Sequence, residues 1–325
     1  MKLLSVVLLL LPLSLCLAVV VDDFTVSCPG FFATPNHVVS PPTGFTGTQY
    51  KRICQTLNNK AEFATLYDTT YRIPVYSAYR FTGLKKCNRS KNWYIEPQLE
   101  NGTLGPNMDN ESAVGNIVNQ AENGDYKYSG YDRGHLAPVF HATSQNCANA
   151  TFTLTNIAPQ IHLFNSGKWN MIEREMANVL NKDCINVGLR AFVVTGVVPG
   201  PDTLKKQGRV RIPSHFWTAF CCLDNNNISK HSGAFYGKKD ESVKEKDEFV
   251  VYRRSVKNME TELTQLYKIH VNNIPDFRFI LFAGECYSET EPMEKQLVEK
   301  ASKRKKGTKY CKPNKRQKLK SNLKQ

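Results

Sequence analysis

The residues best suited to chemistry lie between Tyr131 and Glu173 of this 325-residue chain. They are Asp132-Arg133-Gly134-His135, then Asn156-Ile157-Ala158-Pro159-Gln160, then Asn165 and Glu173. His135 supplies an imidazole that accepts a proton near neutral pH, which a Lys or Tyr would do only after a large pKa shift. Arg133 offers a planar fork to an anionic oxygen, and the amide and carboxylate oxygens that follow suit a hard, oxygen-seeking cation. Together they outline a phosphodiester-cleaving site. Taken singly each has a plainer reading, since Asn165 could cap a helix, Glu173 could sit on a solvated face, and most lone histidines are structural.

Strands and a helix must hold these groups. Gly130 to Val139 reads as a strand entering a turn, Thr151 to Asn156 alternates as a strand does, and Asn165 opens a helix with Trp169, Ile172, Met176 and Val179 as its buried stripe. On a regular helix Glu173 lies two turns beyond Asn165 and about 80° around. Elsewhere, Phe63 to Tyr67 and Ile73 to Phe81 form a hairpin, Lys51 to Leu57 is too short to classify, and a short helix is expected near Val114 to Gln120. Ala191 to Val198 is a buried strand ended by Pro199-Gly200-Pro201; Phe216 to Leu223 and Ala234 to Tyr236 are further strands. Val256, Met259, Leu263, Leu266, Tyr267 and His270 mark an amphipathic helix, and Phe277 to Phe282 a closing strand. Strands in runs with few helices argue for one α+β domain, a mainly antiparallel sheet flanked by helices, over residues 22–290.

The spacing of these motifs resembles that of the ββα-metal (His-Me finger) DNA/RNA non-specific endonucleases. Asn165 stands thirty residues after His135, and Glu173 eight further on. Gln120-Ala121, Asp125-Tyr126, Gly130-Tyr131, Leu136-Ala137-Pro138, Val194-Thr195-Gly196 and Ile212-Pro213-Ser214 with Trp217 sit where the family carries similar strings. The resemblance implies that His135 is the general base, Asn165 the direct ligand of one Mg²⁺ (with Mn²⁺ able to substitute), and Arg133 a phosphate-stabilising group. It makes Glu173 an anchor for metal-bound water and Asn156 a support for His135. The implied reaction is hydrolysis of DNA and RNA; the alternative is a weak or inactive polyanion-binding protein on the same fold. The family's phosphate-contacting arginine before an Asn-Trp pair is here Lys91, with Arg89 two residues earlier, so both are substrate-binding candidates.

Composition addresses the chain to the cell exterior. The apolar run Leu3 to Val21, with Cys16 and Ala18 as small residues before a cleavage point, reads as a signal peptide over residues 1–18; an uncleaved anchor is the rival. No later run is long enough to span a bilayer, so a secreted, extracellular chain without a transmembrane segment is expected. Nine cysteines then remain, and in an exported chain they read as disulfides with one left over. The absence of Cys-x-x-Cys and His-x-x-x-His spacings argues against structural zinc. Sequons at Asn88, Asn101, Asn110, Asn149 and Asn227 fit glycosylation. The net charge of +14 is concentrated in residues 301–325, which hold eleven Lys or Arg and no acid; the rest has 32 basic against 29 acidic residues, a net of +3. That tail reads as disordered and able to bind polyanions.

Overall fold

The computed structural model describes residues 19–205, 207–240, 242–245, 249–270, 276–283, 286–287 and 295–296. The expected leader 1–18 and basic tail 301–325 lie outside them. In chain order the strands are β1 (Val20–Val21), β2 (Tyr50–Leu57), β3 (Lys60–Asp68), β4 (Ile73–Phe81), β5 (Asp132–His135), β6 (Ile157–Gln160), β7 (Arg190–Thr203), β8 (Arg211–Leu223), β9 (Ser229–Lys238), β10 (Val251–Arg254) and β11 (Lys295–Gln296). Nine form one antiparallel sheet in the order β1-β2-β3-β4-β7-β8-β9-β10-β11, and β5 pairs with β6 in a separate ribbon. The stretch Lys51 to Leu57 becomes β2 because Asn58 and Asn59, both in the left-handed region, turn the chain back into β3.

Both faces of the large sheet are buried. Along β7, Ala191, Val193 and Val197 face one layer, and Phe192, Val194 and Val198 the other. The first layer holds the β5–β6 ribbon and the helices α1 (Gln145–Ala150) and α2 (Asn170–Asp183); the second holds α3 (Val256–Lys268) and the N-terminal segment. The same period of two explains Cys221 and Cys222. Neighbours on a strand point to opposite faces, so Cys222 bonds Cys184 beyond α2 and Cys221 bonds Cys286 in the other layer. A third bond, Cys28–Cys54, ties the N-terminal segment to β2.

Three sequence expectations are corrected. Pro199-Gly200-Pro201 does not end β7, which runs to Thr203 with register shifts at Pro199; the bulges absorb residues that cannot ladder regularly. Phe277 to Phe282 makes only the bridge from Ile280 to Thr43, because Phe277, Phe279 and Leu281 are spent packing on Tyr267 and its neighbours. No helix forms over 114–120; Gln120 there is buried, bonding the backbone N–H and C=O of Glu96 at 2.8 Å each.

Glu96 belongs to a buried polar belt under the ribbon. Its carboxyl group meets Thr153 Oγ1 at 3.3 Å, Oε2 has no hydrogen-bond partner among the described residues, and burial pushes its pKa up to about 8. The folded chain therefore holds a proton that the unfolded chain releases near pH 4.5, so stability from this group is full below that pH and is lost as pH rises through about 8. Glu96→Gln removes that loss: its melting temperature relative to wild type should rise by several degrees between pH 5 and pH 8.5. A difference that stays constant across this range in thermal melts would show that Glu96 is not protonated in the fold.

Candidate active site

Each site residue owes its position to a local rule. In the ribbon Asp132 faces Gln160, Gly134 faces Ala158 and His135 faces Ile157. Gly134 is required because a Cβ there would run into the Gln160 side chain. The alternation over Thr151 to Asn156 is not a strand: Leu154–Asn156 is a 3-10 turn and β6 begins at Ile157. All six residues are buried, and two of the threonines bond the polar belt: Thr153 Oγ1 donates to Glu96 at 3.3 Å and Thr155 Oγ1 accepts from Gln55 Nε2 at 2.9 Å.

Asn165 does not open its helix. An α-turn begins at His162, Asn165–Trp169 is a π-helical turn containing the irregular Gly167, and α2 follows. A π turn inserts one residue, so eight residues span about seven helical steps, and Glu173 returns to within roughly 20° of Asn165. Both line one cleft of about 480 Å³ together with Arg89, Arg133, His135 and Arg174. Arg89, Arg133 and Asn165 also line an adjoining lobe of about 620 Å³, bounded by Trp93 and Tyr126.

His135 is buried against Trp93 and Phe152, with ring centroids 5.6 and 5.0 Å away, and its buried Nε2 has no hydrogen-bond partner among the described residues. Burial, then the nearby Arg89 charge, push its pKa down to about 3, so the ring is neutral and able to accept a proton at physiological pH. Burial pushes the Glu173 carboxyl up to about 8 although Arg174 and Arg89 oppose it. Arg133 lies over Trp93 at 4.8 Å and Tyr126 at 5.6 Å, and donates to Asn123 O at 3.3 Å. Tyr126 is held in turn through Asp125, which Arg209 grips with two nitrogens at 3.0 and 3.1 Å.

Asn156 is buried below the cleft and engaged on every side. Its Oδ1 accepts from Ser77 Oγ at 2.9 Å and the Ala137 N–H at 3.0 Å; Nδ2 donates to Ala137 O and Thr151 O, both at 3.0 Å. It therefore positions the chain after His135 and does not itself reach the cleft. Lys91 is exposed and outside the cleft lining, whereas Arg89 is within it.

Sequence reasoning gave Asp132 no separate role within its motif, left His141 structural, and passed over the lysines Lys85 and Lys86. Asp132 Oδ2 accepts from Asn165 Nδ2 at 2.8 Å and pairs with His162 Nδ1 at 2.9 Å, which orients the amide so that Oδ1 is its remaining donor to a cation. Buried His141 joins Tyr79 Oη at 2.7 Å to the Glu173 carbonyl at 2.8 Å. Lys85 and Lys86 line the cleft, and their clustering with Arg89 was the readable signal.

A short antiparallel ribbon packed on a helix, with His, Asn and Glu presented to one cation-lined cleft, defines a ββα-metal nuclease fold. Residues 43–276 match the family model for the DNA/RNA non-specific endonucleases, and the chain belongs to that family. It is 33% identical over 201 residues to human endonuclease domain-containing 1 protein, covering 60% of this chain and 38% of that protein. To human mitochondrial endonuclease G it is 36% identical over 110 residues, covering 30% of this chain and 35% of the relative. A solved EndoG/EndoGI complex aligns with 62% of this chain and 81% of that chain, at 19% identity and a TM-score of 0.42. The chain thus spans little more than a third of the length of these two human relatives.

If Asn156 is the support described, Asn156→Ala should destabilise the fold by roughly 3 kcal/mol, because buried partners at Ser77, Ala137 and Thr151 lose their bonds at once. Lys91→Ala should lie within about 0.5 kcal/mol of wild type. Urea unfolding of the two variants checks this, and similar midpoints would refute the role.

Proposed function

We propose that this chain is a secreted, divalent-metal-dependent endonuclease that hydrolyses DNA and RNA phosphodiester bonds with little base preference. The observation that carries the reading is the neutral His135 lining the same cleft as Asn165, Glu173 and the guanidinium groups of Arg89 and Arg133. His135 takes the proton of the attacking water. Arg133, fixed between two aromatic rings, and Arg89 hold the scissile phosphate by its oxygens, contacts that carry no base information. Trp93 is occupied by Arg133 and His135, which argues against its serving as a base-stacking platform.

The donor set suits a hard cation such as Mg²⁺. Asn165 is pre-oriented by Asp132, the Glu173 carboxylate has no salt bridge among the described residues, and a hard ion that keeps most of its waters needs few protein oxygens. Asn165 Oδ1 would hold it directly and Glu173 through water; when bound it would neutralise charge developing on the phosphate and the leaving oxygen. Mn²⁺ fits the same donors.

Three disulfides support export. Asn88, Asn101 and Asn110 are exposed and suit glycosylation, whereas Asn149 and Asn227 are half-buried with side chains engaged, Asn227 by Thr34 and His37 among others. No helix among the described residues is long and apolar enough to cross a membrane. The basic tail 301–325 is assigned to polyanion contact.

The purified chain should nick plasmid DNA and cleave RNA with Mg²⁺, and lose both activities in EDTA or with His135→Ala. Arg89→Ala should lower kcat/KM by about 10- to 100-fold, a cost of a few kcal/mol, and Lys91→Ala by no more than about threefold. A well-folded wild type that retards DNA without cutting it would instead make this a binding protein. Equal losses at Arg89 and Lys91 would overturn the assignment of the phosphate clamp.

A further inference from the structure

The loop between β4 and Trp93 carries Lys85, Lys86, Arg89 and Lys91 within seven residues, and the first three line the cleft. Like charges so close repel one another, so a loop of this kind needs an anchor to hold them together over a substrate. Two contacts to α1 provide one. Gln145 accepts from the Asn88 N–H at 2.9 Å and donates to Asn88 O at 3.0 Å, a reciprocal pair that lays the loop backbone along the start of the helix. Beside it, the half-buried Cys87 packs against the small apolar cluster of Ala142, Cys147 and Ala148, and Cys147 lies two residues beyond Gln145.

Cysteine parity leads to the same place. Of nine cysteines after residue 18, six are joined as Cys28–Cys54, Cys184–Cys222 and Cys221–Cys286. Cys87, Cys147 and Cys311 remain, and Cys311 lies outside the described residues. The thiols of Cys87 and Cys147 are unbonded but share one packed cluster.

We propose that Cys87 and Cys147 form a fourth disulfide that tethers the basic loop to α1 and so holds Arg89 over the cleft. The oxidant is a small-molecule or protein disulfide of the secretory route. The Cys87 thiolate, on the cleft wall and open to solvent, attacks that disulfide and expels one thiolate; the Cys147 thiolate then attacks the Cys87 sulfur and expels the second. Two electrons pass to the oxidant, and the two protons from Cys87 and Cys147 end on its two thiols. Cys147 is buried, so the more accessible Cys87 meets the external oxidant first and Cys147 reacts only in the second, intramolecular step. The bond itself is independent of the enzymatic reading, whereas its effect on cleavage rests on that reading.

Peptide mapping tests the bond. The secreted full chain is blocked with N-ethylmaleimide without reductant, deglycosylated and digested with trypsin. The expected product is peptide Cys87–Arg89 linked to peptide Gly134–Lys168, lost on reduction, alongside the Cys28–Cys54 link as an internal control. Alkylated thiols at both Cys87 and Cys147, or a link from either to Cys311, would overturn the proposal whether or not the chain cleaves nucleic acid. Steady-state cleavage tests the tether. Cys87→Ser, at a solvent-accessible position, should raise KM for plasmid DNA severalfold with kcat unchanged, and mild glutathione should bring wild type to the same KM. A KM that matches wild type would show that the bond holds nothing that matters to the cleft.

Discussion

One side-chain amide joins the finger to the sheet. Asn156 binds Ser77 on β4 and, on its other side, both backbone groups of Ala137, two residues past His135. Its own carbonyl accepts from the Leu136 N–H at 2.9 Å, so three successive links fix where β5 ends and His135 points. The Nε2 of this neutral histidine has no hydrogen-bond partner among the described residues, and burial against Trp93 and Phe152 holds the ring in place. The imidazole is thus held by what packs around it.

The second constraint is helical phase. A regular helix would leave Asn165 and Glu173 about 80° apart, and the π turn at Asn165–Trp169 removes most of that angle. Asp132 then settles which end of the Asn165 amide faces the cleft. Three buried or half-buried polar groups, His135, Asn165 and Glu173, line one small volume, while Arg89, Arg133 and Arg174 ring it. Such an arrangement is costly in an empty fold and becomes favourable when a cation and a phosphate occupy it.

Much of this was legible in the residues. The buried strands, the amphipathic α3 and the His135–Asn165–Glu173 spacing all follow from periodicity and motif, and the family match confirms the fold. What was not legible depended on tertiary context. The threonine alternation before β6 looked like a strand because a buried polar belt and a sheet face both ask for Thr beside apolar residues. The π turn has no period of its own, and that Arg89 lines the cleft while Lys91 does not depends on how the loop folds back on α1. The pairing of Cys221 with Cys286 and of Cys222 with Cys184 was not legible either, because it depends on which elements pack on each face of β8.

The central claim is that Asn165, oriented by Asp132, holds the divalent cation, while His135 serves chemistry and not metal binding. Mn²⁺ titration followed by electron paramagnetic resonance separates these roles. Wild type and His135→Ala should each bind one ion per chain, and Asn165→Ala should bind none at the same concentrations. Equal binding by all three proteins, or loss in His135→Ala with retention in Asn165→Ala, would contradict the account.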